Sequence, residues 1–457
     1  MPERYRVPTV PTPGRFPKIG KYSIVDWRED CARCRNCVKN ACVSGVWPLE
    51  RARELDPAAP LEPAFDCRAC LSCVQGCTKG ILSLAVNPVY LALGDRYWSR
   101  EMLSTTWGQA ETGRIPVSGA GYRGPFCGPG FDSMWTDMSE IVRPTRDGIH
   151  GREYINTSVD VGSKPLRVRF DADGQPEDEP PLIELPVPFI LDVPPWGSDG
   201  ERLAAARASA AATLRTLSVV RASQTADGDA FDALAPLFDG DEILSYEALL
   251  QKTRFIEISD RPRVADYVKQ ALDVNPRLVA CVRTPFSPNA GDRLMRLYED
   301  GVRVAHLCAD EYGREVDTEE PRYLRDALRE AHGRLVQEGI RDEMTLIVGG
   351  GIALAEHMAK AIICGADLVA VGAPLLVALG CRVCDGDHGA DCPVQIQDVE
   401  PDYAAQRMVN LMGAWHSQLI EVLGAMGMRE VRRLRGETGR AMFLEDLDKE
   451  AFGDIGY

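Results

Sequence analysis

Eight of the fifteen cysteines in this chain fall into two matched runs before Lys79. The first reads Cys31-x2-Cys34-x2-Cys37-x4-Cys42, the second Cys67-x2-Cys70-x2-Cys73-x3-Cys77. Three thiolates at two-residue gaps wrap three corners of an iron–sulfur cubane, and the fourth thiolate of each run crosses to the other cluster. The spacing therefore predicts two 4Fe-4S clusters. One takes Cys31, Cys34, Cys37 and Cys77; the other takes Cys67, Cys70, Cys73 and Cys42. The departures are small: Cys42 sits one residue late, and Thr78 stands where Pro usually follows. Zinc is the plainer alternative, but zinc sites favour paired C-x2-C halves with four ligands rather than two quartets.

Such a module moves single electrons, and the rest of the chain bounds what it serves. The 457 residues allow two or three domains, one of them of barrel size. A formal net charge of −16 argues against nucleic acid or an anionic membrane as partner. Cysteines in ligand-like runs rather than a disulfide framework point to a reducing, cytoplasmic setting. The start, Met1-Pro2-Glu3-Arg4, lacks the apolar core of a signal peptide. Ala361 to Cys381 is long and apolar enough to raise a membrane span. Asp367, Gly365, Gly372 and Pro374 interrupt it, and a buried strand followed by a short helix is the expectation.

Four regions follow. Residues 1–95 form the dicluster, ferredoxin-like module, led by an extended strap with Pro8, Pro11, Pro13 and Pro17. Residues 96–165 are a connecting segment without clear periodicity. Its Gly119-x-Gly121-x-x-Gly124 string follows no strand and opens no helix, so it is a weak dinucleotide signal. Residues 166–400 alternate strands and helices. The strands are placed at 186–193, 217–221, 254–259, 278–283, 302–307, 345–348 and 367–371. Alternation of this kind means a parallel sheet, and about eight units favour a closed α/β barrel of the TIM (β/α)8 type over an open sheet. Residues 401–457 are expected to be a helical extension packed across the barrel, or a subunit interface, because Ala404, Met408, Leu411, Trp415 and Leu419 share one helix face.

Gly349-Gly350-Gly351-Ile352 and Gly372-Ala373-Pro374 each end a strand and open a helix. The loops after the last two strands of a barrel are a common phosphate site, where backbone N–H groups and a helix start face the anion. The alternative is that these glycines only make tight turns. The ligand expected is FMN, which exchanges electrons singly with clusters and in pairs with a substrate. Arg283, at a strand end, is placed either against negative charge on the flavin ring or in a salt bridge. Cys381-x2-Cys384-x7-Cys392 follows the last strand and suggests a third cluster, 3Fe-4S or 4Fe-4S. Cys127, Cys281, Cys308 and Cys364 have no ligand-like spacing and read as core or loop residues. Arg143, Arg146, Asp147, His150, Arg152 and Glu153 read as an ion-pair network or an anion site.

Residues 131–161 (FDSMWTDMSEIVRPTRDGIHGREYINTSVDV) and 346–381, with Cys384 and Cys392-Pro393, resemble the archaeal-type, FMN-binding glutamate synthases. The N-terminal module is similar to theirs as well. The resemblance implies an FMN-bearing barrel with phosphate at Gly349 to Gly351 and at Gly372, and a cluster on Cys381, Cys384 and Cys392. That family carries lysines and a Gly-rich loop at the middle strand ends. Here those ends read 258–262 ISDRP, 281–285 CVRTP and 306–313 HLCADEYG.

Three functions are expected in order. The first is an electron-transfer subunit of a multi-subunit oxidoreductase, partnered by other oxidoreductase subunits or ferredoxin in a hetero-oligomer. The second is a ferredoxin-dependent glutamate synthase, or a relative aminating another oxo-acid. The third is a cluster-bearing scaffold without flavin.

Overall fold

The computed structural model describes residues 5–16, 19–26, 32, 34, 36–37, 42, 70–115, 128–136, 155–164, 167, 169–175, 180–197, 199–225, 230–383 and 394–453. The described part divides into two units. One comprises residues 13–104 with 382–385; the other comprises 1–12, 105–381 and 386–457.

In the first unit, β1 (Tyr22–Asp26) pairs antiparallel with β2 (Leu82–Val86). Helix α1 (Ser72–Gln75) carries Cys73, α2 (Pro88–Leu91) follows β2, and α3 (Arg100–Thr112) begins here. Cys73 and Leu82 are buried together, with Cys37, Cys42, Val74 and Cys77 packed against them.

The second unit is built on a closed barrel of eight parallel strands. They are β6 (Phe189–Leu191), β7 (Ser218–Arg221), β8 (Leu234–Phe238), β9 (Phe255–Ser259), β10 (Val279–Pro285), β11 (Val304–Cys308), β12 (Thr345–Gly349) and β13 (Leu368–Val371). Strand β13 pairs with β6 and closes the ring. The runs FIL, TLIVG and LVAV are wholly buried, as parallel strands covered on both faces require. Preceding the barrel, β3 (Met134–Thr136) pairs with β14 (Ala441–Phe443), and β4 (Val159–Gly162) with β5 (Leu182–Leu185). The β4–β5 hairpin covers the amino-terminal end of the barrel, where Gly162 exchanges backbone hydrogen bonds with the Thr345 hydroxyl.

Strand β8 is absent from the sequence expectation. Pro236 interrupts its run LAPLF, and Pro removes a ladder donor, which argues against a central strand. No α-helix precedes it among the described residues; the connection from β7 carries only 3-10 turns at Ala222–Gln224 and Phe231–Ala233. The other connections carry α4 (Glu201–Leu214), α5 (Glu247–Lys252), α6 (Val264–Val274), α7 (Ala290–Glu299), α8 (Leu324–Gln337), α9 (Ala355–Ile363) and α10 (Ala373–Ala378).

Helix α11 (Pro401–Ala425) is the expected helical extension packed on the barrel, where it joins the outer ring. It packs on α4 and α9, the helices beside the β6–β13 seam. Pro401 at its first turn and the Glu400 carboxylate, which accepts from the Tyr403 N–H, fix its start. The buried alanines of α4 let it approach closely. The chain ends in α12 (Leu444–Phe452) among the described residues.

The proline-rich strap lies along α11. Asn410, fully buried, accepts from the Val10 N–H at 3.0 Å and donates to the carbonyls of Val10 at 2.7 Å and Ala110 at 3.0 Å. Asn410→Ala would remove all three of these hydrogen bonds between the strap, α3 and α11. A loss of about 1–3 kcal/mol is expected, read as a lower urea midpoint for the barrel unit; an unchanged midpoint would mean the strap is not held there.

Candidate active site

The carboxyl ends of β6 and β10–β13 surround a cavity of about 220 Å³. Asp192, Arg283, Cys308, Glu311, Gly349–Ile352 and Gly372–Pro374 line it. The structure thus brings the predicted Gly349, Gly350, Gly351, Gly372, Ala373 and Arg283 to one place. The two glycine loops do more than turn. Gly350 and Gly351 have φ of 93° and 62°, and a Cβ on either would lie 2.3–2.5 Å from backbone atoms of 309–313. Glycine there lets two neighbouring strand-end loops touch, and leaves their backbone as cavity wall.

Beneath the wall lies an ion cluster that sequence reasoning missed, apart from Arg283. The Arg283 guanidinium donates to both Asp192 oxygens at 2.7 and 3.0 Å, and to Glu257 Oε2 at 3.0 Å. His306 Nδ1 lies 2.8 Å from Glu257 Oε1. Glu257 and His306 are fully buried. Burial opposes charge on Arg283, Asp192 and His306, yet the pairings prevail. Arg283, flanked by Asp192, Cys308 and Glu257, is held well above the usual range. Arg283 and His306 keep the Asp192 carboxyl below its own. Cys308 and Glu257 raise His306 to about 10. A signal for these groups was present: Glu257, Arg283 and His306 each sit in an otherwise apolar run of a parallel strand. Ionisable residues buried in such a strand must be paired.

The altered strand ends are committed to the scaffold. Asp260 accepts from Thr284 Oγ1 at 2.7 Å and from Arg293 Nε at 2.8 Å. Asp310 accepts from the backbone of Tyr312 and Arg314 and from the Arg314 side chain, which locks its own loop.

Of the predicted cluster ligands, Cys31, Cys67, Cys384 and Cys392 lie outside the described residues. So do Cys127, the Gly119–Gly124 string and the Arg143–Glu153 cluster. The described thiols suit metal ligation. The Asn36 backbone and then the Thr78 hydroxyl lower the Cys34 thiol below its usual range. The Ser72 hydroxyl does the same for Cys70. Burial opposes the shift at Cys77, but backbone groups of Ile81, Lys79, Leu82 and Gly80 lower it. Thiolates held by hydrogen-bond donors are what a cluster requires. Cys77 also lies near enough to Cys34 to act on its charge, which is compatible with a shared cluster. Cys381 is buried just after α10. Cys281 and Cys364 are buried core thiols, and burial pushes Cys364 up to about 12. Cys308, in contrast, opens onto the cavity.

Asp132, Glu356 and His357 also converge, with ligand atoms within 4.8 Å of one another. His357 Nδ1 accepts the Ala353 N–H, so its Nε2–H is left to donate to Asp132, and the Lys360 ammonium sits 3.0 Å from Glu356. Both ring nitrogens of His357 are thus engaged, and Glu356 is already paired with an ammonium. This cluster clamps the segment before β3 onto α9.

Residues 323–429 match the conserved region of glutamate synthase, a span that holds both glycine loops, Cys381 and α11. The archaeal glutamate synthase (NADPH) of Archaeoglobus fulgidus is 25% identical, over 94% of this chain and 96% of that protein. The chain is similar to the archaeal-type glutamate synthases over nearly its whole length. An archaeal-type glutamate synthase (NADPH) of Dehalococcoides mccartyi is 24% identical over 90% of this chain and 93% of its own length. The archaeal glutamate synthase (NADPH) of Methanocaldococcus jannaschii is 30% identical over 49% of this chain and 44% of its own. The chain is a glutamate synthase-like oxidoreductase on a closed α/β barrel. No helix among its described residues is long and apolar enough to cross a membrane.

Proposed function

We propose that this chain is an iron–sulfur flavoprotein that relays electrons between its N-terminal clusters, a third cluster at Cys381, Cys384 and Cys392, and FMN in the barrel mouth. The observation that carries the reading is the cavity itself. Its wall is glycine-loop backbone, and its floor offers a guanidinium pinned by two buried carboxylates. Such a donor set suits an oxygen-rich anion. At about 220 Å³ the cavity is smaller than the roughly 300–1,000 Å³ of whole-ligand clefts, so part of the cofactor would lie outside it. Gly349–Ile352 and Gly372–Pro374 would hold the phosphate. Arg283 would oppose negative charge on the ring.

Bound FMN supplies the exchange between single-electron and two-electron steps. The protein's part is to fix Arg283 in one orientation, which Asp192 and Glu257 do from two sides, and to keep water from the floor. Each cluster's potential is set by local hydrogen bonds and burial, as at Cys34 and Cys77. The electrons enter or leave through another oxidoreductase subunit or a ferredoxin.

Glutamate formation is a second reading, favoured by the match over nine-tenths or more of both chains to relatives that bear that name. Against it, no lysine lines the cavity among the described residues.

Anaerobic purification tests the proposal. Iron and sulfide sufficient for three clusters and one FMN per chain are expected, with oxidoreductase subunits copurifying. Full iron without flavin would leave a cluster scaffold, and a colourless chain would end the proposal. Glutamate formed from 2-oxoglutarate with reduced ferredoxin would put the second reading first.

A further inference from the structure

Arg283 has a role in the reading above, while the histidine beside it has none. His306 is fully buried in the middle of β11. One edge of its ring is satisfied: Nδ1 meets Glu257 Oε1 at 2.8 Å, with Arg283 Nη1 at 3.3 Å. The other edge is bare. Nε2 has no hydrogen-bond partner, and the Asp192 Oδ2 oxygen stands off at 3.9 Å. A buried polar atom in that state costs about 1–3 kcal/mol until it gains a partner.

The bare nitrogen lies just behind the cavity lining, with no accessible surface of its own. A Cβ placed on Gly349 would lie 2.8 Å from His306 Nε2, 3.2 Å from Ala370 Cβ and 3.5 Å from Asp192 Oδ2. Gly349, Ala370 and Asp192 all line the cavity. Glycine at 349 therefore leaves a side-chain-free window in the wall between the ligand space and the ring below. Backbone strain does not demand this glycine, because its φ lies outside the left-handed region.

We propose that His306 is a ligand-binding residue whose Nε2–H donates, through the window at Gly349, to an oxygen of partial or full negative charge at the buried end of the bound molecule. A carbonyl oxygen of the FMN ring and a carboxylate oxygen of an oxo-acid substrate share this chemistry. Burial and Arg283 oppose charge on the imidazole, and Cys308 and Glu257 outweigh them. Glu257 fixes the ring by its opposite edge, so the donor is oriented before the ligand arrives. Arg283 lies beside it and adds positive charge at the same floor. The inference rests on the cavity being the ligand site of the reading above.

Three variants of the full chain test it, each freed of flavin anaerobically and titrated with FMN and, separately, with 2-oxoglutarate. His306→Asn keeps a donor near the Nδ1 position for Glu257 and removes Nε2. His306→Gln places an amide near Nε2. Gly349→Ala closes the window without touching the charges. Affinity for one of the two probes is expected to fall at least tenfold in His306→Asn and in Gly349→Ala, and to recover most of that loss in His306→Gln. FMN following this order assigns the acceptor to the flavin; 2-oxoglutarate following it assigns the acceptor to the substrate. Wild-type protein that binds FMN as tightly as all three variants do, with 2-oxoglutarate equally indifferent, overturns the inference and leaves the flavin reading intact. A wild-type chain that takes up neither probe overturns both.

Discussion

Arg283→Leu should cost the barrel about 3–5 kcal/mol, because it strands Asp192 and Glu257 in the protein interior without their shared cation. The leucine fills much of the volume, so the loss reads out charge rather than a hole. His306 remains as a partial counter-charge to Glu257, which keeps the effect from being larger. Urea unfolding of the full chain measures the change. A loss below about 1 kcal/mol would mean that the carboxylates are not held ionised by this guanidinium. The same substitution removes the cation expected to face the ligand, so FMN uptake should fall with it.

The second large effect is at the opposite end of the barrel and depends on pH. Asp367, just before β13, is paired with Arg341 at 2.9 Å, Arg435 at 2.9 Å and Lys164 at 3.3 Å. Burial pushes its carboxyl up, but Arg341, Lys164 and Arg435 hold it well below the usual carboxylate range. His332 sits against this group, accepting from Arg341 Nε at 3.1 Å. Burial first, then Arg341 and Arg435, lower its imidazole to about 4, while Asp367 and Asp342 act weakly in the other direction. As pH falls through about 6.5, the unfolded chain takes up a proton on this imidazole that the folded chain refuses until about pH 4. The unfolded state binds more protons across that window, so stability falls as the solution is acidified. His332 is only part-buried, and solvent screening brings the loss to about 2 kcal/mol. Below the unfolded carboxyl range near pH 4, protonation of Asp367 in the unfolded chain adds a further loss. The urea midpoint should therefore decline from pH 7 to pH 4, and His332→Asn should flatten that decline. A wild-type profile level over this range would refute the assignment.

The barrel was readable because its strands are unbroken apolar runs separated by helices. Seven of the eight strands stand out on that ground. The eighth hid behind Pro236 and behind a connection without an α-helix among the described residues. The glycine loops were readable for the same reason as the strands, since each sits where a strand stops. The floor of the site was not. Asp192, Glu257 and His306 come from three strands far apart in sequence, and only closure of the ring brings them to Arg283. A residue-by-residue reading saw one cation with two plausible uses. The structure shows the salt bridge, which holds Arg283 in place for whatever binds above it. The packing of 401–425 on the barrel was readable from its apolar face, while its partners α4 and α9 were not.

The strap along α11 alters how the chain is parsed. Residues 5–12 belong to the barrel unit, and that unit resumes at Thr105. The cysteine-rich segment is thus an insertion within the barrel's polypeptide rather than a bead threaded ahead of it. Both borders of the insertion are in register, since Thr12 N–H donates to Glu111 O at 2.9 Å. An engineer who cuts at residue 95 would take away a buried staple along with the unwanted part. Excision between Thr12 and Thr105, rejoined by a short linker, would return a barrel with its own beginning still attached.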